Sequence, residues 1–312
     1  MQSPAYIPNY APKRRAHSVF VPVRGHRYHC HVWGDASLVT PERPPLVIVH
    51  GWMDVGASFQ FLVDALQQNR QVIAPDWRGY GCTEGPATDS YWFPDYLGDL
   101  DALLDSTELG LGPNTVVDLA GHSMGGNVVM SFAAVRSARI RRLINLEGFG
   151  LPETRPHHAP RRLAQWLDDL KTPARLKTYP SLEAVAERLR SNNPRLAEDK
   201  AAWLAPHWSR LAEDGQWHIQ GDPAHKRTNP MLYRKDEILE GWKLIQAPTL
   251  WVEGADTDVA RFWGDSYPRA DFEARIALVP KLAKASLPDC GHMLHHDQPQ
   301  ALAAAIETFL DS

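Results

Sequence analysis

Apolar positions in the first half of the chain alternate between a period of two and a period near 3.6. Ser18–Val23 and Arg27–Trp33 read as two strands around Arg24-Gly25-His26, a hairpin pattern. Leu46–Val49 is wholly apolar after two prolines, as expected of a strand buried on both faces of a parallel sheet. Phe59, Leu62, Val63 and Leu66 then fall on one helix face, followed by the short strand pattern Val72–Ala74, stopped by Pro75. Tyr96, Leu97, Leu100, Leu103 and Leu104 predict a helix, Thr115–Ala120 a strand, Asn127–Val135 a helix and Leu143–Leu146 another strand. Strands separated by helices predict a parallel sheet with right-handed crossovers.

The alternation stops at Gly148 and resumes at Thr249–Val252, followed by a strand pattern at Ala283–Leu287 and a helix carrying Leu302, Ala305, Ile306 and Phe309. Between them lie about 100 residues, longer than any ordinary connection. Prolines punctuate this stretch, and it shows helix patterns but no strand pattern. Ser181 is placed to cap a helix carrying Leu182, Val185, Ala186 and Leu189, and Asn193-Pro194 to open a helix carrying Leu196, Trp203 and Leu204. It holds Trp166, Trp203, Trp208, Trp217 and Trp242, five of the chain's eleven tryptophans.

Composition narrows the class. The chain has 312 residues, 44% hydrophobic and 22% charged, which suits a globular protein and excludes disordered and fibrous classes. A net charge of −4 offers no general basic field for a nucleic acid. Cys30, Cys82 and Cys290 are too few and too scattered for a disulfide framework or a cysteine-based zinc site. Met1–Arg15 lacks the apolar stretch of a signal peptide, and no run of about 18 apolar residues occurs that could span a membrane. A cytoplasmic protein is the expectation.

The chemistry centres on Gly121-His122-Ser123-Met124-Gly125, a G-x-S-x-G pattern between a strand and an apolar helix. So tight a turn needs flanking residues without side chains, and it lifts Ser123 clear of the sheet as a nucleophile. His292, between the last strand and the last helix, is the candidate base. His295 and His296 beside it raise the alternative of a metal cluster, but no second group of ligands has a recognisable spacing. His29 and His31 share one face of a strand and read as ordinary edge residues. His50-Gly51-Trp52 closes a strand. The backbone N–H groups of Trp52 and Met124 are the candidate oxyanion donors, and Gly51 lets the chain turn close to the site. Gly51 and His122 are also expected to line the substrate pocket.

HGW at His50–Trp52, DWRGYG at Asp76–Gly81, GHSMGG at Gly121–Gly126 and DCGHM at Asp289–Met293 resemble, in order, the motifs of the α/β-hydrolase fold superfamily. His50-Gly51-Trp52-Met53-Asp54 is similar to its serine-hydrolase-like branch and to the HGWP turn of epoxide hydrolases. The resemblance covers nearly the whole chain. It implies an α/β fold with a mostly parallel eight-stranded sheet, helices on both faces and a helical cap after the sixth strand. The core would then be residues 1–147 and 247–312 and the cap 148–246.

It also implies a Ser-His-acid triad. The acid usually follows the seventh strand, three residues after a glycine, but that position here is Thr257. Asp258, four past Gly254, resembles a G-x-x-S-D variant of the family and is favoured; Asp256 is an alternative. Glu147 is a third candidate, at the position after the sixth strand that some haloalkane dehalogenases use. Ser123 in place of an aspartate nucleophile argues against a dehalogenase or epoxide hydrolase.

The activity expected is cleavage of a carboxylic ester through an acyl-enzyme, with no cofactor or metal. The substrate expected is a small molecule with an apolar acyl group, from the tryptophans of the cap. A carbon–carbon bond hydrolase, an amidase and a cofactor-free perhydrolase are alternatives on the same triad, and a ligand-binding protein is the alternative outside enzymes. The oligomeric state stays open.

Overall fold

A computed structural model of the protein describes residues 9–258 and 263–312, so the first part of the Met1–Arg15 segment lies outside the described residues. Eight strands form the main sheet: β1 (His17–Val23), β2 (His26–Trp33), β3 (Leu46–Val49), β4 (Val72–Pro75), β5 (Val117–His122), β6 (Ile140–Leu146), β10 (Thr249–Gly254) and β11 (Leu282–Leu287). Their order is β1-β2-β4-β3-β5-β6-β10-β11. β2 runs antiparallel to both neighbours, and the other pairings are parallel.

Helices cover both faces because β3 and β4 are apolar on both. On one face α2 (Phe93–Leu104) and α3 (Met124–Arg136) pack Tyr96, Leu100, Val128 and Phe132 against the sheet. On the other, α1 (Gln60–Ala65) and the helix Pro299–Leu310 bring Leu62, Val63, Leu302 and Ile306 to Ile48 and Ala120.

The segment between β6 and β10 has the expected helices but departs from its expected form in a small sheet and in one helix start. It contains α4 (Ala159–Lys171), α5 (Leu182–Asn192), α6 (Glu198–Trp208) and α7 (Lys235–Lys243). It also contains a small antiparallel sheet of β7 (Thr178–Tyr179), β8 (Ser209–Leu211) and β9 (Trp217–Ile219), in the order β7-β9-β8. Strands of two and three residues are too short to leave a periodic signal. Ser181 caps α5 as expected, its Oγ accepting from Ala184 N at 3.3 Å. Asn193-Pro194 does not open α6, whose first residue is Glu198; Asn193 instead ends α5.

This insertion has a core of its own, in which Val185, Leu189, Leu204 and Trp208 meet Val55, Ala57 and Phe61. Trp242 of α7 is buried in the main core beside α3.

Candidate active site

The site lies at the C-terminal ends of β3, β5, β6 and β10. At the end of β5 the chain turns directly into α3, and Ser123 takes φ 54° and ψ −114°. Such a backbone costs about 1–3 kcal/mol and persists only where the surroundings enforce it. Here they do: a Cβ on Gly121 would run into the carbonyl of Gly125, and one on Gly125 into the carbonyl of Val49. The two glycines let β5, β3 and α3 close on one another, and the serine is held out at the start of α3.

The turn after β3 is fixed by His50. Its Nδ1–H donates to Gly51 O at 2.8 Å and its Nε2 accepts from Trp77 N at 2.9 Å, while its carbonyl accepts from Trp77 Nε1 at 3.0 Å. Burial pushes its pKa down, so it stays neutral in this role. The turn runs beside the serine, since a Cβ on Gly51 would stand 3.1 Å from Ser123 Cβ. Trp52 projects its ring outward, half exposed, with Nε1 donating to His225 O at 3.3 Å.

Ser123 Oγ lies 3.0 Å from His292 Nε2, and His292 Nδ1 lies 2.6 Å from Glu147 Oε2. An ionised carboxylate only accepts, so Nδ1 carries the hydrogen and Nε2 is left to accept from the serine hydroxyl. Glu147, not Asp258, is therefore the carboxylate against the imidazole, which corrects the expectation. The reason lies in the strand ends. Glu147 follows β6 with φ 57°, which turns its side chain inward, and it is 1% exposed. Its other oxygen, Oε1, accepts from Gly254 N at 2.7 Å and Thr257 Oγ1 at 2.6 Å. A carboxylate this deeply buried needs such donors.

Asp258 and Asp256 are exposed and line the cavity in front of Ser123, and Asp256 pairs with Arg195 at 2.8 Å. Thr257, unsuitable as an acid, is the residue that holds one. A hydroxyl at the position where an aspartate is usual was the available sign.

His122 is buried, and its Nε2–H donates to the carbonyl of His292 at 2.8 Å. Burial, with His295 and His292 nearby, holds it well below the usual histidine range. The loop of His292 is held from the other side too: Asp297 accepts from Gly291 N at 2.8 Å and from Asn193 Nδ2 of the insertion at 2.7 Å.

His29 and His31 are not edge residues. β2 is an inner strand, and both face buried Asp76, at 2.8 Å and 3.7 Å. Burial alone would raise the Asp76 pKa, but the hydrogen bond from His29 and the nearby His31 imidazole hold it well below the usual range. Asp76 also accepts from Gly56 N and Cys82 N, so it ties the turn after β3 to the DWRGYG segment.

A cavity of about 610 Å3 opens onto Ser123 and His292. The core lines it with Gly51, Met53 and His122, and the insertion with Leu176, Leu189, Trp208 and Ile219. Of the five tryptophans of the insertion only Trp208 reaches it; Trp166 donates to Ser90 Oγ, Trp203 packs on Phe61, and Trp242 is buried in the main core.

A family model described as the alpha/beta hydrolase family matches residues 46–305. The chain belongs to that family. It is 26% identical over 298 residues to a 3-hydroxybutyrate-oligomer hydrolase of Cupriavidus necator, covering 91% of this chain and 93% of that one. It is 26% identical over 310 residues to a serine hydrolase-like protein of Danio rerio, covering 95% and 89%. Among solved structures, the thioesterase domain from the curacin biosynthetic pathway superposes with a TM-score of 0.79 at 26% identity, covering 94% of this chain and 99% of that one. As a member of this family the protein is an enzyme, a hydrolase. No helix among the described residues is long and apolar enough to cross a membrane.

Proposed function

We propose that the protein hydrolyses a carboxylic ester of a small molecule through an acyl-enzyme, with Ser123 as nucleophile, His292 as base and Glu147 as the acid. The observation that carries this reading is the hydrogen-bonded chain from Ser123 Oγ through His292 to Glu147 at the wall of the cavity. Ser123 attacks the ester carbonyl as His292 Nε2 takes its proton; the imidazolium that forms is stabilised by Glu147. The N–H groups of Trp52 and Met124 receive the oxyanion, the latter at the start of α3 where backbone donors are unpaired. His292 then protonates the leaving alcohol, and water, activated by the same imidazole, releases the acid.

The insertion acts as a cap that sets the substrate, with its segment 148–246 over a core of 1–147 and 247–312. Leu176, Leu189, Ile219 and Trp208 suit an apolar acyl group. Similarity to an oligomer hydrolase and to a thioesterase domain, each over nearly the whole chain, supports acyl transfer to water.

The test is a panel of p-nitrophenyl esters of graded acyl length, run beside amides and vinylogous diketones, with a fluorophosphonate probe. Ester turnover and probe labelling are expected in wild type, and both are expected to vanish in Ser123→Ala. Labelling that survives in Ser123→Ala, or turnover of the diketones alone, overturns the reading.

A further inference from the structure

Beneath the catalytic histidine lies a cluster that the hydrolysis does not use. Asp54, His122 and His295 are 6%, 2% and 0% exposed, and one ligating atom of each lies within 4.8 Å of the others. Asp54 Oδ2 and His295 Nε2 are already 3.6 Å apart. Two ligands of a tetrahedral zinc at about 2.0–2.2 Å are separated by about 3.4 Å.

The hydrogen inventory leaves this place short of donors. His122 must carry its hydrogen on Nε2, because that nitrogen meets a carbonyl, so its Nδ1 is a bare lone pair. His122 Nδ1 and Asp54 Oδ2 are both buried with no hydrogen-bond partner, and His295 turns its Nε2 toward them. Each such group costs about 1–3 kcal/mol when nothing meets it. A lone pair and a carboxylate oxygen buried together call for a cation. His295 has a further contact, Ser58 Oγ at 3.2 Å, but that hydroxyl lies closer to His296 Nε2, at 2.6 Å. Access exists, since Asp54 and His122 line the wall of the substrate cavity.

We propose that Asp54, His122 and His295 bind one divalent transition-metal ion of the zinc type, and that its binding slows hydrolysis. Two imidazoles and a carboxylate with room on the cavity side are a ligand set suited to zinc or cobalt. The inhibition rests on the reading of His292 as base. The rings of His122 and His292 are 4.8 Å apart, so a cation held by His122 opposes the imidazolium that the acylation step must form.

The test uses the full chain stripped of metal. Cobalt(II) is titrated while its visible absorption is followed, zinc is counted by elemental analysis, and ester turnover is measured alongside. One ion per chain and a tetrahedral cobalt spectrum are expected, with turnover falling as the site fills and recovering on chelation. Asp54→Asn and His295→Gln should each weaken binding by at least about tenfold, a loss that even outer-shell partners of a metal can cause. His292→Asn should bind as wild type. If His295→Gln fails to fold, the near-isosteric Asp54→Asn carries the comparison. No binding in wild type, binding unchanged in Asp54→Asn, or binding lost in His292→Asn each overturns the site. A filled site with undiminished turnover overturns the inhibition. The cobalt spectrum needs no substrate, so a failure of the ester reading is told apart from a failure of the metal site.

Discussion

β6 and β10 are neighbours in the sheet, and each ends in a carboxylate-bearing loop, yet the two ends are built differently. After β6, Glu147 takes a left-handed backbone, is almost fully buried and is met by a backbone N–H, a hydroxyl and an imidazole. After β10, Asp256 and Asp258 stand exposed, and Asp256 is taken up by Arg195. The imidazole of His292 requires a carboxylate at one point in space, and adjacent parallel strands about 4.8 Å apart can both deliver to it. What chooses between them is which end offers the buried donors that hold a charge still. Here the β10 end supplies donors, Gly254 N and Thr257 Oγ1, and the β6 end supplies the carboxylate that meets His292.

The largest expected effect tests that division directly. Glu147→Gln keeps the shape of the side chain, removes its charge and favours the wrong imidazole tautomer. The equivalent exchange in a serine protease lowers kcat about 10⁴-fold. A loss of that order is expected in ester turnover for Glu147→Gln, once circular dichroism shows the variant folded. A loss of that size in Asp258→Asn instead would return the acid to the β10 end.

A smaller effect sharpens the other half. Thr257→Val removes one hydrogen bond to the buried carboxylate, a contact worth about 1.5–3 kcal/mol to a charged group, hence a loss of about 10–150-fold in kcat/KM. Thr257→Ser should restore most of it, which a merely structural role for the hydroxyl-bearing residue would not predict for kcat/KM alone.

Buried and exposed groups also part company in their response to pH. Burial, with His31 next, pushes His207 of α6 down to about 4; burial likewise pushes His225, stacked between Tyr80 and Tyr91, down to about 3. Both lie where the insertion meets the core. Their folded pKa values lie below the unfolded value of about 6.5, so the unfolded chain takes up protons first as pH falls. Stability is therefore whole above about pH 6.5 and declines toward pH 4, by about 1.4 kcal/mol per pH unit for each such histidine. Thermal melts across that range should show it, and His225→Phe should flatten the slope.

The smallest effect is the one expected at the exposed end. Asp256→Asn and Asp258→Asn should both stay within about tenfold of wild type in kcat/KM, since solvent screens the fields of exposed charges.

How far these contrasts could be read from the sequence follows the same line. Apolar runs such as Leu46–Val49 and the glycines of the Ser123 turn announce themselves locally, because each answers to its own neighbours in the chain. The three-residue strands of the insertion do not, being too short for a period. Neither does the partner of His292. Asp258 sits at a familiar distance from Gly254, whereas Glu147 stands 145 residues from His292, and only packing brings it there. His29 looked like an edge residue because strand order, which sets β2 inside the sheet, is not written in β2 itself.

The bond from Gly254 N to Glu147 spans 107 residues, almost all of them insertion. For equilibrium stability this length matters little: closing a flexible loop of about 100 residues rather than about 10 costs only about 2 kcal/mol more. Its weight falls on the order of assembly during synthesis. The turn that holds Ser123 can form once β3, β5, β6 and α3 exist, but His292 comes 169 residues later. At about 5–20 residues per second, the ribosome takes roughly 8–34 s to cover that distance. On the proposed mechanism, the nascent chain lacks both base and supported acid for that interval, and Ser123 gains its partners only when β10 and the loop of His292 dock.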